Sequence, residues 1–145
     1  MSLWLECDSG LKNGEHLIDI ATGKTPVVPD NRDLTVNLGA FHNGYSRDLS
    51  TATQIDFNLY ESSANDAASF LTKTISSGIA ARTGRSPWNK REAASVTFQL
   101  TDTELNYSLG AEDSVDLWAR ISATLSGGEV IPLAEGVFTI GFNAG

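Results

Sequence analysis

Val115-Asp-Leu-Trp-Ala-Arg-Ile-Ser-Ala-Thr-Leu125 alternates apolar and polar residues, and Ser126-Gly127-Gly128 separates it from a second apolar run that ends at Ile140. A period of two is typical of a strand with one buried face, and a glycine turn between two such runs indicates a β-hairpin. The alternation predicts that Val115, Leu117 and the other odd-numbered residues face the core, which places Trp118 on the opposite face. The stretch predicts an antiparallel β-fold and carries no catalytic motif.

The second strand of this hairpin breaks the alternation. Strict period-two spacing cannot keep Val130, Leu133 and Gly136 on one face together with the apolar residues that follow them. Pro132 also lacks the backbone N–H that a central ladder position requires. We therefore expect a β-bulge or an edge position between Pro132 and Gly136.

Shorter alternating runs predict further strands at Leu17–Ile20, Leu34–Phe41, Thr53–Tyr60 and Ala94–Leu100. The segment Ala64–Lys73 fits a short helix capped by Asn65, but Phe70–Ile75 within and after it is equally typical of a strand. Thr101–Glu104 has capping-box spacing and predicts one helical turn. Six to eight strands with at most one short helix predict an all-β fold, a two-layer antiparallel β-sandwich, with residues 1–145 as a single domain.

Composition and charge exclude several classes of function. The 145 residues carry 10 Lys and Arg against 18 Asp and Glu, a formal charge of −8, which disfavours binding to nucleic acid or to an anionic membrane. No segment approaches the length of a membrane span, and the N-terminus lacks a signal-peptide pattern, so we expect synthesis in a cytoplasm. Cys7 is the single cysteine and there are two histidines, so we expect no disulfide, metal or cofactor.

The irregular segment Ser76–Glu92 is predicted to be a long loop, and it concentrates positive charge. Four of the ten basic residues surround one tryptophan there: Arg82, Arg85, Trp88, Lys90 and Arg91. One interpretation is a loop that contacts an acidic partner or a neighbouring copy, with the tryptophan as anchor. The other is a solvated loop whose tryptophan packs over the edge of the sandwich.

Trp118 is the second candidate for partner contact because it lies between Asp116 and Arg120 on the outward face of its strand. A large aromatic side chain there is covered by the chain's own loops, contacts another subunit or stacks on a sugar. Residue spacing leaves all three open.

Nothing in the sequence predicts an enzyme. The carboxylates are numerous, but no spacing singles out an acid–base pair, and no Gly-X-Ser-X-Gly nucleophile pattern occurs. Loop carboxylates without an EF-hand pattern are typical of solvated surface charge. We therefore predict a protein that acts by binding.

Several features follow one another from Val96 to Ile140. They are Val96-Thr-Phe-Gln-Leu-Thr-Asp-Thr-Glu104, a loop through Leu109-Gly-Ala-Glu-Asp113, the strand Val115–Leu125, the Gly127-Gly128 turn, and Val130-Ile-Pro-Leu-Ala-Glu-Gly-Val-Phe-Thr-Ile140. This order resembles the immunoglobulin-like β-sandwich modules of tailed-phage baseplate and tail-fibre proteins. In those modules a Leu-Thr corner leads to a core strand, a glycine turn and a strand with Leu-Ala-X-Gly.

The resemblance implies a structural virion protein of a phage or prophage, in the tail or baseplate. It implies a virion location after synthesis in the bacterial cytoplasm, with other virion subunits or further copies of the chain as partners. The alternative is a carbohydrate-binding or adhesin-like module. A sugar-binding module should present two or three coplanar aromatic rings on one face, whereas an assembly module should spread its apolar contacts over edges and loops.

Overall fold

Ten β-strands make up the regular structure in a computed structural model that describes residues 2–9, 16–43, 45–79, 94–107 and 112–141. No helix occurs within these ranges. The strands are β1 (Ser2–Asp8), β2 (His16–Asp19), β3 (Val27–Pro29), β4 (Leu34–His42), β5 (Tyr45–Ser46), β6 (Ala52–Tyr60), β7 (Ser69–Ile75), β8 (Val96–Leu100), β9 (Ser114–Leu125) and β10 (Val130–Gly141).

The strands form two sheets that pack face to face. Sheet A has the order β2-β1-β4-β5, with β8 also paired to β4, and sheet B has the order β3-β10-β9-β6-β7. Phe57 of β6 lies at the centre of the core, where its ring centroid is 5.6 Å from those of Phe98 in β8 and Phe138 in β10. Because the contact between Phe57 and Phe98 joins sheet B to sheet A, the predicted β-sandwich is confirmed.

Two pairings differ from the fully antiparallel arrangement that the sequence predicts. β1 pairs with β4 in parallel, and β3 pairs with β10 in parallel. Side chains alternate in the same way along parallel and antiparallel strands, so residue periodicity does not distinguish them. The immunoglobulin-like connectivity stays a prediction.

The strand count exceeds the predicted six to eight because β1 (Ser2–Asp8) was not predicted and because two other strands are too short to show a period. β3 has three residues and β5 has two. The ambiguous segment Ala64–Lys73 resolves into a turn followed by β7, so the strand interpretation applies to its second half. Apolar alternation within β7 is weak because it lies at the edge of sheet B.

The β9–β10 hairpin has the predicted geometry. Burial alternates along β9, with Leu117, Ala119 and Ile121 buried and the residues between them half-buried. The register of β10 against β9 shifts between Pro132 and Ala134, which confirms the predicted bulge. This extra residue returns the apolar side chains of β10 to the core face.

The corner after β8 forms the predicted capping box without a helix behind it. Glu104 N donates to Thr101 Oγ1 at 3.2 Å, and Thr101 N donates to Glu104 Oε1 at 2.9 Å. Leu105 N donates to the Thr101 carbonyl at 3.1 Å, which completes one helical turn. The reciprocal bonds stabilise this turn and fix the Glu104 carboxylate at the edge of the sandwich.

The Glu104 carboxylate also holds the edge strand of sheet B. Lys73 of β7 pairs across the ladder with the buried Phe57, so it points towards the sheet interface, and its Nζ lies 3.1 Å from Glu104 Oε2. Burial raises the pKa of Glu104, but the hydrogen bonds from Thr101 and Lys73 outweigh it and the pKa lies below its usual value. An inward-pointing lysine is one way to protect an edge strand from pairing with another chain.

Candidate protein–protein interface

The two predicted contact regions have different outcomes. Arg82, Arg85, Trp88, Lys90 and Arg91 lie outside the described residues, so their role in partner contact stays a prediction. The structure does place Trp118, and the surface around it is built from sheet B.

Trp118 lies on the outward face of β9, as the alternation predicts. Its cross-strand neighbours are Tyr60 of β6 on one side and Val137 of β10 on the other, and all three residues are half-buried. We call these three residues the aromatic row. Tyr60 was not singled out from the sequence, although the alternation of Thr53–Tyr60 already places it opposite the inward Leu59.

Arg120 contacts three groups beside the aromatic row. Its guanidinium carbon lies 4.8 Å from the centroid of the Tyr60 ring, and its Nε donates to Glu135 Oε1 at 3.0 Å. Its Nη2 donates to the carbonyl of Ser63, in the turn after β6, at 3.0 Å. Arg120 therefore occupies one side of the Tyr60 ring, and that side is closed to a stacked ligand.

The carboxylates on this surface are hydrogen-bonded within the sheet. Asp56 accepts from Thr74 Oγ1 at 2.7 Å and from Gln54 Nε2 at 3.0 Å. Asp116 accepts from Thr139 Oγ1 at 2.7 Å. Burying a polar group costs less when it keeps a hydrogen bond, so these internal bonds lower the cost of covering the surface with a partner.

Exposed apolar side chains extend the surface beyond the aromatic row. Val27 is 46% exposed and Val130 is 60% exposed, and their pairing with Thr139 and Thr124 places both on the outward side of sheet B. We call the outward side chains of β3, β10, β9, β6 and β7 the outer face of sheet B. An apolar centre with hydrogen-bonded polar groups around it is typical of protein–protein interfaces.

On sheet A, by contrast, the outward side chains at the centre are buried. Glu6 and Asp8 of β1 alternate with the inward Leu5 and Cys7, so they point outward, yet they are only 9% and 3% exposed. Phe41 of β4 also points outward and is 1% exposed. The outer face of sheet B is therefore the more accessible of the two.

A serine and a histidine meet at the end of the sandwich that contains the bulge of β10. Ser9 Oγ lies 3.2 Å from His42 Nδ1, and Arg47 donates to Ser9 Oγ and, at 3.5 Å, to the carbonyl of Pro132. These bonds tie loops of sheet A to β10 of sheet B. His42 is exposed, and its contact with Ser9 forms part of this network between the two sheets.

Other chemical groups give no reaction centre in the described ranges. Cys7 is fully buried, and burial together with the charge of Glu6 raises the pKa of its thiol, which disfavours the reactive thiolate. Among the described residues no cluster of three His, Cys, Asp or Glu side chains could hold a metal ion. No described helix could cross a membrane.

Comparison with known proteins gives a likeness in fold. No protein-family model matches the chain, and no curated protein matches it. Among solved structures, the chain is similar to the N-terminal domain of phage TP901-1 ORF48, with a TM-score of 0.52 and 12% sequence identity. The likeness covers 99% of this chain and 98% of that one, so at this identity it shows a shared fold over the whole length of both.

Proposed function

We propose that this chain is a structural protein of a phage or prophage virion, a component of the tail or baseplate that acts through protein–protein contacts. The observation that carries the proposal is the full-length fold likeness to a domain of a phage protein. The order of sequence features from Val96 to Ile140 supports the same class independently. The protein is proposed to be non-enzymatic, to be made in the bacterial cytoplasm and to reside in the virion.

The outer face of sheet B supports an assembly role. It is broad, spans five strands and combines exposed valines with the aromatic row and internally bonded carboxylates. When such a surface loses water, its carboxylates keep hydrogen bonds from neighbouring side chains. We assign the contact with other virion subunits, or with further copies of the chain, to this face.

The alternative function is carbohydrate binding, and the pairing of Tyr60 with Trp118 is the observation that favours it. A sugar platform needs open ring faces, and Arg120 already covers one side of Tyr60. The exposed apolar residues Val27 and Val130 lie near opposite ends of β10, away from the aromatic rings. These features favour assembly over sugar stacking.

The test uses particles from the bacterium or phage that encodes the chain. We expect mass spectrometry of gradient-purified particles to detect the chain at a fixed ratio to the tail proteins, resistant to a high-salt wash. A glycan array with the purified protein provides the opposing measurement. Absence from washed particles, together with glycan binding that Trp118→Ala removes, would reject the virion role in favour of the carbohydrate-binding module.

A further inference from the structure

The outer face of sheet B is acidic as well as apolar. It carries three carboxylates, those of Asp56, Asp116 and Glu135, against the single guanidinium of Arg120. Charge on this face therefore favours a cationic partner.

Two chain segments that adjoin the outer face of sheet B add further negative charge. Glu61 and Asp66 are exposed in the turn that follows Tyr60, and this turn is tied to the face because Ser63 accepts from Arg120. Glu112 and Asp113 are exposed immediately before β9. Counting only described residues, the outer face of sheet B and these two adjoining segments carry seven carboxylates and one guanidinium.

Asn58 supplies a second observation on the same face. It lies between Thr72 and Arg120 in the ladder, and its Oδ1 is buried without a hydrogen-bond partner in the described part of the chain. A buried acceptor without a donor is uncommon and costs stability.

We infer that the outer face of sheet B binds an arginine- or lysine-rich segment of a different protein subunit, with Trp118 as the central contact. This inference rests on the proposed assembly function and names the partner's chemistry. A cationic segment supplies donors to the carboxylates, and its aliphatic or guanidinium groups pack on the aromatic row. Joining two copies through this face would bring two acidic surfaces together in a chain of charge −8, which disfavours self-pairing.

The first experiment titrates ¹⁵N-labelled protein with two synthetic hexapeptides, one alternating Arg and Trp and the other alternating Glu and Trp. We expect only the Arg-Trp peptide to shift the Trp118 indole N–H and the amides of β9 and β10. Its affinity should fall steeply with added salt, since exposed charges are screened beyond about 10 Å at 0.1 M. Equal binding of the Glu-Trp peptide would overturn the inference.

Matched variants locate the effect on this face. Glu112→Gln with Asp113→Asn should weaken binding of the Arg-Trp peptide about fivefold at low salt. Asp33→Asn with Asp48→Asn removes two charges from exposed positions that adjoin strands of sheet A, and should change the affinity less than about twofold. An equal loss in both double variants would mean that net charge alone attracts the peptide, which contradicts a defined docking face.

Two single substitutions test the aromatic centre and keep the test independent of folding. Trp118→Ala should weaken Arg-Trp peptide binding more than about tenfold. Thr72→Arg places a cation on an exposed position of the same face and should weaken it without touching the core. If both variants bind like the parent protein, the inference is wrong.

Sedimentation of the protein alone separates this inference from the proposed function. Concentration-dependent self-association that Thr72→Arg abolishes would assign the face to a second copy and overturn the cationic partner, while an assembly role stands. If the Arg-Trp peptide does not bind but the chain is present in washed particles, the cationic partner is also overturned and the assembly role stands. The chain's absence from particles would instead reject the virion role, whatever the peptide result.

Discussion

Gly136 is a position at which the two sheets approach each other closely. A Cβ placed on Gly136 would lie 3.0 Å from Leu17 Cβ and 3.7 Å from Leu17 Cδ2. Leu17 belongs to β2 of sheet A, whereas Gly136 belongs to β10 of sheet B. The glycine of the Leu-Ala-X-Gly pattern is therefore explained by packing, and Gly136→Ala should destabilise the protein.

The size of the loss follows from two opposing effects. Leu17 Cβ is attached directly to the backbone, so the contact is relieved only if β2 or β10 moves, and inserting a methyl into a packed core costs about 1–3 kcal/mol. Replacing glycine by alanine also restricts the unfolded chain, which stabilises by about 0.4–1 kcal/mol. The net loss of unfolding free energy should be about 1–2 kcal/mol.

Equilibrium urea unfolding, followed by tryptophan fluorescence, measures this change. With an m-value of about 2 kcal/mol/M, the midpoint should fall by about 0.5–1 M. Gly127→Ala is the matched control, because a Cβ on Gly127 meets nothing within 4 Å, and it should leave the midpoint unchanged or raise it slightly. If Gly136→Ala is as stable as the parent and behaves like Gly127→Ala, the close approach does not limit this site.

Three further predictions concern the core and the edge. Phe57→Ala should cost about 3–5 kcal/mol in urea unfolding, because it removes the ring between the two sheets, and a loss below about 1 kcal/mol would contradict its central place. Cys7 should react with a thiol reagent only at the rate of unfolding, so stoichiometric labelling of the native protein within seconds would contradict its full burial. The pKa of Glu104 is lowered in the folded protein, so its carboxylate stabilises the fold at pH values above the unfolded pKa of 4.5. This stability is lost as the pH falls through the folded pKa. Glu104→Gln should therefore flatten the plot of stability against pH in that range. An unchanged acid profile in Glu104→Gln would show that its bonds to Thr101 and Lys73 do not contribute.

Residue periodicity predicted most of the strands that have one buried face and a sufficient length, but it was not applied to β1, where Leu3, Leu5 and Cys7 alternate. The β9–β10 hairpin, the bulge after Pro132 and the capping box at Thr101–Glu104 all follow from local rules about alternation, missing donors and turn chemistry. The parallel pairing of β1 with β4 does not, because it depends on how distant segments meet. Very short strands such as β5 could not be predicted either, because two residues show no period.

The candidate interface shows the same division between local and non-local information. Alternation predicted that Trp118 points outward, but the side chains beside it come from strands that are distant in sequence. Tyr60 meets Trp118 only because β6 is the neighbour of β9 in sheet B. Once that pairing is fixed, Arg120 necessarily lies on the same face and reaches both the Tyr60 ring and Glu135.

That arrangement gives the outward face of β9 two separable roles. Arg120 and Glu135 form a partly exposed ion pair, which contributes little to stability in water, about 0–1 kcal/mol. Trp118 retains partial exposure in the middle of the sheet, between the half-buried Tyr60 and Val137. A large aromatic residue kept half-buried between internally bonded charges is better explained by a contact made after folding. We therefore expect the protein to contact its partner through Trp118, the large aromatic side chain on the outward face of β9.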